Sequence, residues 1–133
     1  MTHPPEQVVH IGEVAERTGL SHRTIRYYEE MGLITPSGRT EGGFRLYADD
    51  DIDRLLLIKP MKPLGFTIEQ IRDLLTALDI LDGTDSTAEQ RAGARAVVSQ
   101  THTSTRTRIT ELKEATARAE AFTRRLAQEM QPD

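Results

Sequence analysis

Three adjacent residues, Gly19, Leu20 and Ser21, constrain the fold more than any other part of this sequence. Glycine accepts the left-handed conformation that ends a helix, leucine can pack back beneath that end, and serine caps the next helix. Apolar residues recur at helical spacing on both sides of the triplet. The sequence therefore predicts two short helices joined by a tight turn, a helix-turn-helix arrangement.

Each of the two helices has one apolar face. The core positions predicted for the first helix are Ile11, Val14, Ala15 and Thr18. Those predicted for the second helix are Ile25, Tyr28 and Met31. Gly32 follows Met31 and is expected to end the second helix, as Gly19 ends the first, so both helices are expected to be short.

The outward face of the second helix carries cationic, imidazole and phenol groups. Six residues on this face or at its start are candidates for contact with DNA: Ser21, His22, Arg23, Thr24, Arg26 and Tyr27. Arg23 and His22 lie near the N-terminal end, which a recognition helix directs at base edges in the major groove. Arginines on a helix surface are often merely solvated, but the turn and its spacing favour the DNA-binding interpretation. Glu29 and Glu30 are interpreted as structural.

A β-hairpin is predicted after the second helix. The paired glycines Gly42 and Gly43 suit a hairpin tip, and Phe44-Arg45-Leu46-Tyr47 suits its second strand. A hairpin in this place is a wing. Arg39 and Arg45, on its two strands, are expected to reach phosphates beside the groove that the helix occupies.

Two further helices are predicted beyond the hairpin. The acidic run from Asp49 to Asp51 suits the positive end of the first, and a metal site is the less favoured interpretation of it. Thr67 and Gln70 stand at capping-box spacing and open the second. The predicted core positions of these helices are Ile52, Leu55, Leu56 and Met61, then Ile71, Leu74, Leu75 and Leu78.

Four segments stand in order along this region: Ile11–Ala15, Thr24–Glu29, Gly43–Tyr47 and Leu64–Ile71. At this spacing they resemble the DNA-binding domain of the MerR family of bacterial transcription regulators. The resemblance implies a mainly α fold in which a winged helix-turn-helix domain with a small β-hairpin wing occupies residues 9–78. A flexible tail over residues 1–8, a linker over 79–86 and a coiled-coil dimerisation helix over 87–130 complete the expected organisation.

The resemblance assigns roles residue by residue. It implies base contact by Arg23, with His22 and Thr24 beside it, and phosphate contact by Arg26 and Tyr27. The residues expected to act from the two wings are Arg39, Arg45, Tyr47, Lys59 and Lys62. Pro60 departs from the family pattern, in which a basic or polar residue is usual at this position. A proline removes an amide donor and disfavours helix at the preceding residue. The third helix is therefore expected to end early or to kink.

One long helix is predicted for the last third of the chain. Between Ala88 and Met130 there is no proline and only one glycine, so a helix of about 64 Å is the simplest interpretation. Ser86 and Glu89 are predicted to form its capping box. Apolar residues recur at coiled-coil spacing, and those expected at a dimer interface are Ile109, Leu112, Ala115, Ala119, Phe122 and Leu126.

That apolar stripe cannot be buried by one helix, so the sequence predicts a homodimer. The resemblance implies an antiparallel coiled coil that holds two winged domains apart, so that two recognition helices meet major grooves on an inverted repeat. The alternating threonines from Thr101 to Thr107 oppose both helix propensity and a dry seam. They are interpreted as a polar stretch that sets register, since threonine can donate to the preceding turn, or as the lining of a small site.

Composition is compatible with a cytoplasmic, nucleoid-associated regulator. The chain of 133 residues has no cysteine, which excludes disulfides and thiolate metal sites. No metal site or other cofactor is expected, because the histidines do not form ligand spacing. No apolar run approaches the length of a membrane span, so no membrane partner is expected. The net charge of −4 does not exclude DNA, because the charge at the contact face decides binding.

The family mechanism is deformation of DNA. The resemblance implies dimers that bend and untwist promoter DNA and so act on RNA polymerase indirectly. An architectural or excisionase-like winged-helix protein that bends DNA without activating a promoter is the alternative. An enzyme is not expected, since no nucleophile, base and carboxylate stand at usable spacing. The effector is left open: no inducer, control by abundance or a protein partner, or a small pocket, because cysteines and a segment long enough for a ligand domain are absent.

Overall fold

The computed structural model describes residues 7–133, so most of the predicted N-terminal tail lies outside the described residues. The chain divides into two compact units, and the boundary along the sequence lies between Thr76 and Ala77. The elements in order are α1 (Ile11–Thr18), α2 (His22–Glu30), β1 (Gly38–Arg39), β2 (Arg45–Leu46), α3 (Asp49–Ile58), α4 (Ile68–Asp82) and α5 (Ala88–Glu129). The predicted fold class, mainly helical with one small hairpin and a long last helix, is confirmed.

The turn between α1 and α2 has the predicted geometry. Gly19 adopts φ +75°, and its N–H donates to the carbonyl of Ala15 at 2.8 Å. The Ser21 hydroxyl accepts from the N–H of Thr24 at 3.1 Å and so caps α2. The buried Thr18 hydroxyl donates to the carbonyl of Val14 at 2.8 Å, which satisfies a polar group beneath the turn.

The core of the first unit lies where α1 packs against α2 and α3. The predicted core positions Val14, Thr18, Ile25 and Tyr28 are buried. The prediction for Leu56 is wrong, because that side chain is 45% exposed. The buried positions of α3 recur every three residues, at Ile52, Leu55 and Ile58, and this stripe rotates away from Leu56.

Local sequence signals set the ends of α3 and α4. The carboxylate of Asp51 accepts from the N–H of Ala48 at 2.8 Å and so caps the start of α3. The helix ends at Ile58, two residues before Pro60, as the proline predicts. At the start of α4, Thr67 and Gln70 exchange side-chain to backbone hydrogen bonds at 3.1 and 2.9 Å, which confirms the predicted capping box.

The wing is a two-stranded antiparallel hairpin in which Gly38 pairs with Leu46 and Arg39 with Arg45. At its tip the N–H of Gly43 donates to the carbonyl of Thr40 at 2.9 Å. Gly43 adopts φ +84°, which requires glycine at this position. An isolated bridge between Val9 and Tyr47 ties the base of the hairpin to the residues before α1.

The second unit contains the end of α4 and all of α5. Helix α4 continues to Asp82, so the prediction of a linker that begins at residue 79 is wrong. The guanidinium of Arg91 donates to the carbonyls of Ile80, Leu81 and Gly83 at 3.1–3.3 Å. Carbonyls at the C-terminal end of a helix have no hydrogen-bond donor within that helix. Arg91, in the first turn of α5, is the donor for these carbonyls at the end of α4.

Helix α5 is continuous from Ala88 to Glu129, as predicted. Its capping box is formed by Thr87 and Gln90, one residue later than the predicted pair, since these two exchange hydrogen bonds at 2.9 and 3.0 Å. Within the threonine-rich stretch, the hydroxyl of Thr101 donates to the carbonyl of Val97 at 2.8 Å, and that of Thr105 to Thr101 at 2.8 Å. Threonines of this stretch therefore donate to the preceding turn, which is the property from which a role in setting register was inferred. That role stays a prediction.

We expect Gly19→Ala to destabilise the first unit by about 1–2 kcal/mol, because an L side chain is strained at this φ. A Cβ here would also lie 2.9 Å from Nζ of Lys59. Gly12→Ala is the matched control, since a Cβ at Gly12 meets no atom within 4 Å, and it should raise stability by about 0.5–1 kcal/mol. Urea unfolding measures both. Equal effects of the two substitutions would contradict the importance of the left-handed turn.

Candidate nucleic-acid interface

The start of α2 presents polar and cationic side chains to solvent. His22, Arg23 and Arg26 are exposed, whereas Ile25 and Tyr28 on the opposite face are buried. Within residues 7–133 no carboxylate forms an ion pair with Arg23 or Arg26. Because the buried face holds the helix in place, these guanidinium groups are carried on a rigid support and remain available to an anion.

Tyr27 and Lys62 meet at the side of α2. The ammonium group of Lys62 lies 6.0 Å from the centre of the Tyr27 ring, and this ring is 39% exposed. Lys62 belongs to the turn between α3 and α4, which forms the second wing of the domain, and the fold brings this turn next to the exposed face of α2. A cation over an exposed phenol leaves the hydroxyl and the ammonium group free to contact neighbouring phosphates.

The hairpin places two like charges directly opposite each other. Arg39 and Arg45 are cross-strand partners, an arrangement that destabilises a hairpin unless an anion lies nearby. Glu29 of α2 supplies one, because its carboxylate accepts from Nε of Arg45 at 2.8 Å. This hydrogen bond and the negative charge of Glu29 raise the pKa of Arg45 above its ordinary value. The contact attaches the wing to the recognition helix.

The structure places Tyr47 differently from the prediction. Its side chain is fully buried, and its hydroxyl donates to the other oxygen of Glu29 at 3.3 Å. Burial, reinforced by the negative charge of Glu29, raises the pKa of Tyr47 to about 12. The prediction that Tyr47 contacts DNA is therefore wrong: a buried phenol cannot reach a phosphate, and it serves to position Glu29.

Lys59 also has an internal partner. Its ammonium group donates to the carbonyl of Thr18 at 2.8 Å, at the C-terminal end of α1. A cation at this end compensates the unpaired carbonyls and the helix dipole. Lys59 thus stabilises the turn of the helix-turn-helix, and because its side chain is exposed, its contact with DNA stays a prediction.

Two arginines that hold the C-terminal end of α2 were not found from the sequence. Nε of Arg54 donates to the carbonyl of Leu33 at 2.8 Å, and the guanidinium of Arg72 donates to that of Met31 at 2.6 Å. Neither bond follows a local rule, because the partners are 21 and 41 residues apart. Phe44, predicted to lie in the second strand of the hairpin, directly precedes β2 and is 70% exposed.

A helix-turn-helix with an exposed basic helix start, flanked by a hairpin wing and a lysine-bearing turn, defines a winged helix-turn-helix protein of the DNA-binding class. Residues 9–78 match the family described as MerR HTH family regulatory protein. The chain belongs to this family. Members of the family are DNA-binding transcription regulators, so the prediction that the chain is not an enzyme is confirmed.

Relatives in sequence match about half of the chain. The mercuric resistance operon regulatory protein of Bacillus cereus is 49% identical over 69 residues, which are 52% of this chain and 52% of that protein. The chain spans about half the length of the curated relatives it matches. The identity at this level supports the winged domain and does not extend to the rest of those proteins.

Solved structures match more of the chain. A Listeria monocytogenes protein described as a MerR family transcriptional regulator has a TM-score of 0.68 at 29% identity, with 86% of this chain and 83% of that chain covered. HiNmlR, described as a MerR family regulator lacking the sensor domain and bound to promoter DNA, has a TM-score of 0.66 at 24% identity, with 93% and 95% covered. The latter likeness shows the fold.

The described residues provide neither a metal-binding cluster nor a membrane-spanning helix. Between residues 7 and 133, no group of three or more histidine, aspartate or glutamate side chains is placed to hold a metal ion. In the same range no helix combines the length and the apolar character needed to cross a membrane.

The buried Tyr47 phenol predicts a pH dependence. Because folding raises its pKa from the ordinary value near 10 to about 12, its contribution to stability is complete below about pH 10 and is lost as pH rises towards 12. We expect urea unfolding to show this loss for the natural chain. Tyr47→Phe, the control, should lack this component of the pH dependence and the last step of the tyrosinate absorbance titration. An unchanged titration would contradict the burial of Tyr47.

Proposed function

We propose that this chain is a sequence-specific transcriptional regulator that binds an inverted repeat in promoter DNA as a homodimer. The proposal depends on His22 and Arg23, which are exposed at the N-terminal end of a helix whose other face is buried. Neither has an ion-pair partner among residues 7–133. That end of a recognition helix is the part that reaches base edges in the major groove. Family membership supports DNA as the partner.

The roles of individual residues follow from their surroundings. We assign base contact to Arg23, because a guanidinium can donate two hydrogen bonds to a guanine edge, with His22 and Thr24 beside it. The Ser21 hydroxyl caps α2 and also donates to Thr24 at 2.9 Å, so Ser21 positions the start of the helix. This division places sequence reading in one turn of α2.

Phosphate contacts are assigned to the groups around that turn: Arg26, Tyr27, Arg39, Arg45 and Lys62. Arg45 is suited to this role although Glu29 holds it, because the ion pair uses Nε and the two terminal nitrogens of the guanidinium remain as donors. Contacts of this kind fix the register of a protein on the duplex without reading its sequence.

Homodimerisation is proposed because α5 carries apolar side chains that nothing in the second unit covers. Ile109, Leu112, Phe122 and Leu126 are 40–63% exposed, and with the small residues Ala115 and Ala119 they lie on one side of the helix. An antiparallel coiled coil between two copies would bury this stripe and separate the two winged domains.

The structural likeness to HiNmlR, which is bound to promoter DNA, supports promoter DNA as the proposed target of this chain.

The proposed mechanism is bending and untwisting of promoter DNA, which would act on RNA polymerase indirectly. Such a regulator would work in the cytoplasm, associated with the nucleoid. Genome-wide mapping of bound sites followed by footprinting tests this proposal. Promoter sites with cleavage hypersensitivity at the centre of an inverted repeat are expected. Smooth protection without distortion would contradict the mechanism, and sites outside promoters would instead indicate an architectural role.

Arg23→Ala should reduce discrimination between the mapped site and random DNA by about 1–3 kcal/mol for each base that the guanidinium reads. Binding to random DNA should change little, because phosphate contacts dominate it. Fluorescence anisotropy with both duplexes measures the difference. Arg118→Ala, on the outward side of α5, removes the same charge away from the proposed interface and should leave discrimination unchanged. An equal weakening on both duplexes would reassign Arg23 to phosphate contact.

Arg45→Ala should weaken binding to all DNA sequences and should make the dependence of log K on log salt shallower by about one unit for each protomer. The reason is that one guanidinium per wing no longer displaces a counterion. Arg45→Lys, which keeps the charge, is the control and should keep most of the slope. If the slope of the alanine variant equals that of the natural chain, Arg45 does not contact phosphate.

A further inference from the structure

The exposed stripe on α5 has a strict coiled-coil period. Positions that alternate at spacings of three and four residues are Ile109, Leu112, Thr116, Ala119, Thr123, Leu126 and Met130. They lie in the part of α5 where every residue from Arg106 to Met130 is exposed. An open groove on this face is lined by Ile109, Leu112, Lys113, Thr116, Ala117 and Glu120. We call the seven positions at alternating spacing, from Ile109 to Met130, the seam.

Charged residues flank the seam on both sides. One flank, formed by the residues that directly follow Leu112 and Ala119, carries Lys113 and Glu120. The other flank carries Arg108, Ala115, Phe122 and Glu129, spaced by seven residues. In coiled coils, residues at these flanking positions meet across the interface and select the partner and its orientation.

We propose that the occupant of the seam is a second copy of α5, antiparallel and in one register, with Ile109 facing the partner's Leu126. In this register the two-fold axis passes between Ala117 and Arg118. The proposal rests on the proposed homodimer and specifies how its two long helices meet.

Charge complementarity supports this register. Lys113 comes opposite the partner's Glu120, and Arg108 comes opposite the partner's Glu129. Arg108 and Glu129 also form ion pairs within α5, with Glu111 at 3.9 Å and Arg125 at 3.8 Å, and these exposed pairs are weak enough to be shared with the partner helix. The two-fold axis repeats each pair, which gives four attractive contacts at the two flanks. Opposite charges at these positions favour a register, whereas like charges oppose it.

Side-chain size supports the same register. Phe122 is 63% exposed on α5 and needs a cavity on the second copy. The register places the Phe122 ring beside the partner's Ala115, next to a central layer formed by Thr116 and the partner's Ala119. Small residues around the axis therefore make room for two aromatic rings, while larger pairs close the interface further out.

Competing arrangements place like charges together. A shift of one heptad in one direction sets Lys113 against the partner's Lys113 and Leu126 against the partner's His102, and in exchange it brings only Arg106 to the partner's Glu120. The opposite shift sets Glu120 against the partner's Glu120 and moves Ile109 past Glu129, where α5 ends. A parallel pairing sets Arg108 against the partner's Lys113. Only the proposed register avoids these contacts.

Charge reversal on the full chain tests the register. Lys113→Glu should weaken the dimer about tenfold, because both attractive pairs at that flank become repulsive. This substitution leaves the rest of the helix unaffected, since the residues three and four positions away are uncharged. Glu120→Lys should weaken the dimer similarly. The double variant with both substitutions should return the dissociation constant to within about threefold of that of the natural chain.

Sedimentation equilibrium measures the dissociation constants, and Arg118→Glu is the matched control. It makes the same change of charge on the outward side of α5, where it also places a carboxylate four residues after Glu114, and should change the constant less than about threefold. Failure of the double variant to restore the dimer would overturn the register while leaving the homodimer intact. A stronger dimer for Lys113→Glu would indicate parallel pairing. A monomeric natural chain would contradict the proposed homodimer itself.

Cross-linking gives an independent measurement, because the chain contains no cysteine. The pair Ile109→Cys and Leu126→Cys, introduced together in one chain, should form an intermolecular disulfide under mild oxidation. The control pair Ile109→Cys and Ala119→Cys matches the heptad-shifted register and should cross-link poorly. Efficient cross-linking of the control pair and not of the first would overturn the proposed register.

Discussion

The carboxylate of Glu29 connects the two parts of the winged domain that must act together. It accepts from Arg45 of the wing and from the buried Tyr47 hydroxyl, at 2.8 and 3.3 Å. Without this anion, Arg39 and Arg45 would face each other across the hairpin as uncompensated like charges. The position of the wing relative to α2 therefore depends on one side chain of α2 itself, and Tyr47, buried beneath, keeps that side chain in place.

The basic residues of the first unit divide into two groups with different roles. Lys59, Arg54 and Arg72 donate to backbone carbonyls at or just after the ends of α1 and α2. These cations complete the hydrogen bonding of the helix-turn-helix and hold it rigid. Arg23 and Arg26 have no ion-pair partner among the described residues and point to solvent. The net charge of −4 thus gives a poor measure of the charge at the proposed interface.

Sequence reasoning succeeded where structure is determined by neighbouring residues. The turn at Gly19 and Ser21, the end of α3 before Pro60 and the capping box at Thr67 follow rules that act within about four residues. It failed where partners are distant in sequence. The burial of Tyr47 depends on its contact with α2, and the positions of Arg54 and Arg72 depend on carbonyls more than 20 residues away. Spacing along the chain contains no information about such contacts.

The back-bonded threonines of α5 change the meaning of a segment that looks polar. Because the hydroxyls of Thr101, Thr105 and Thr107 donate within their own helix, they make no demand on a neighbouring surface. What these residues offer a neighbour is their methyl groups. Each of these three hydroxyls consequently keeps its hydrogen bond whether a neighbouring surface or water covers this face of the helix.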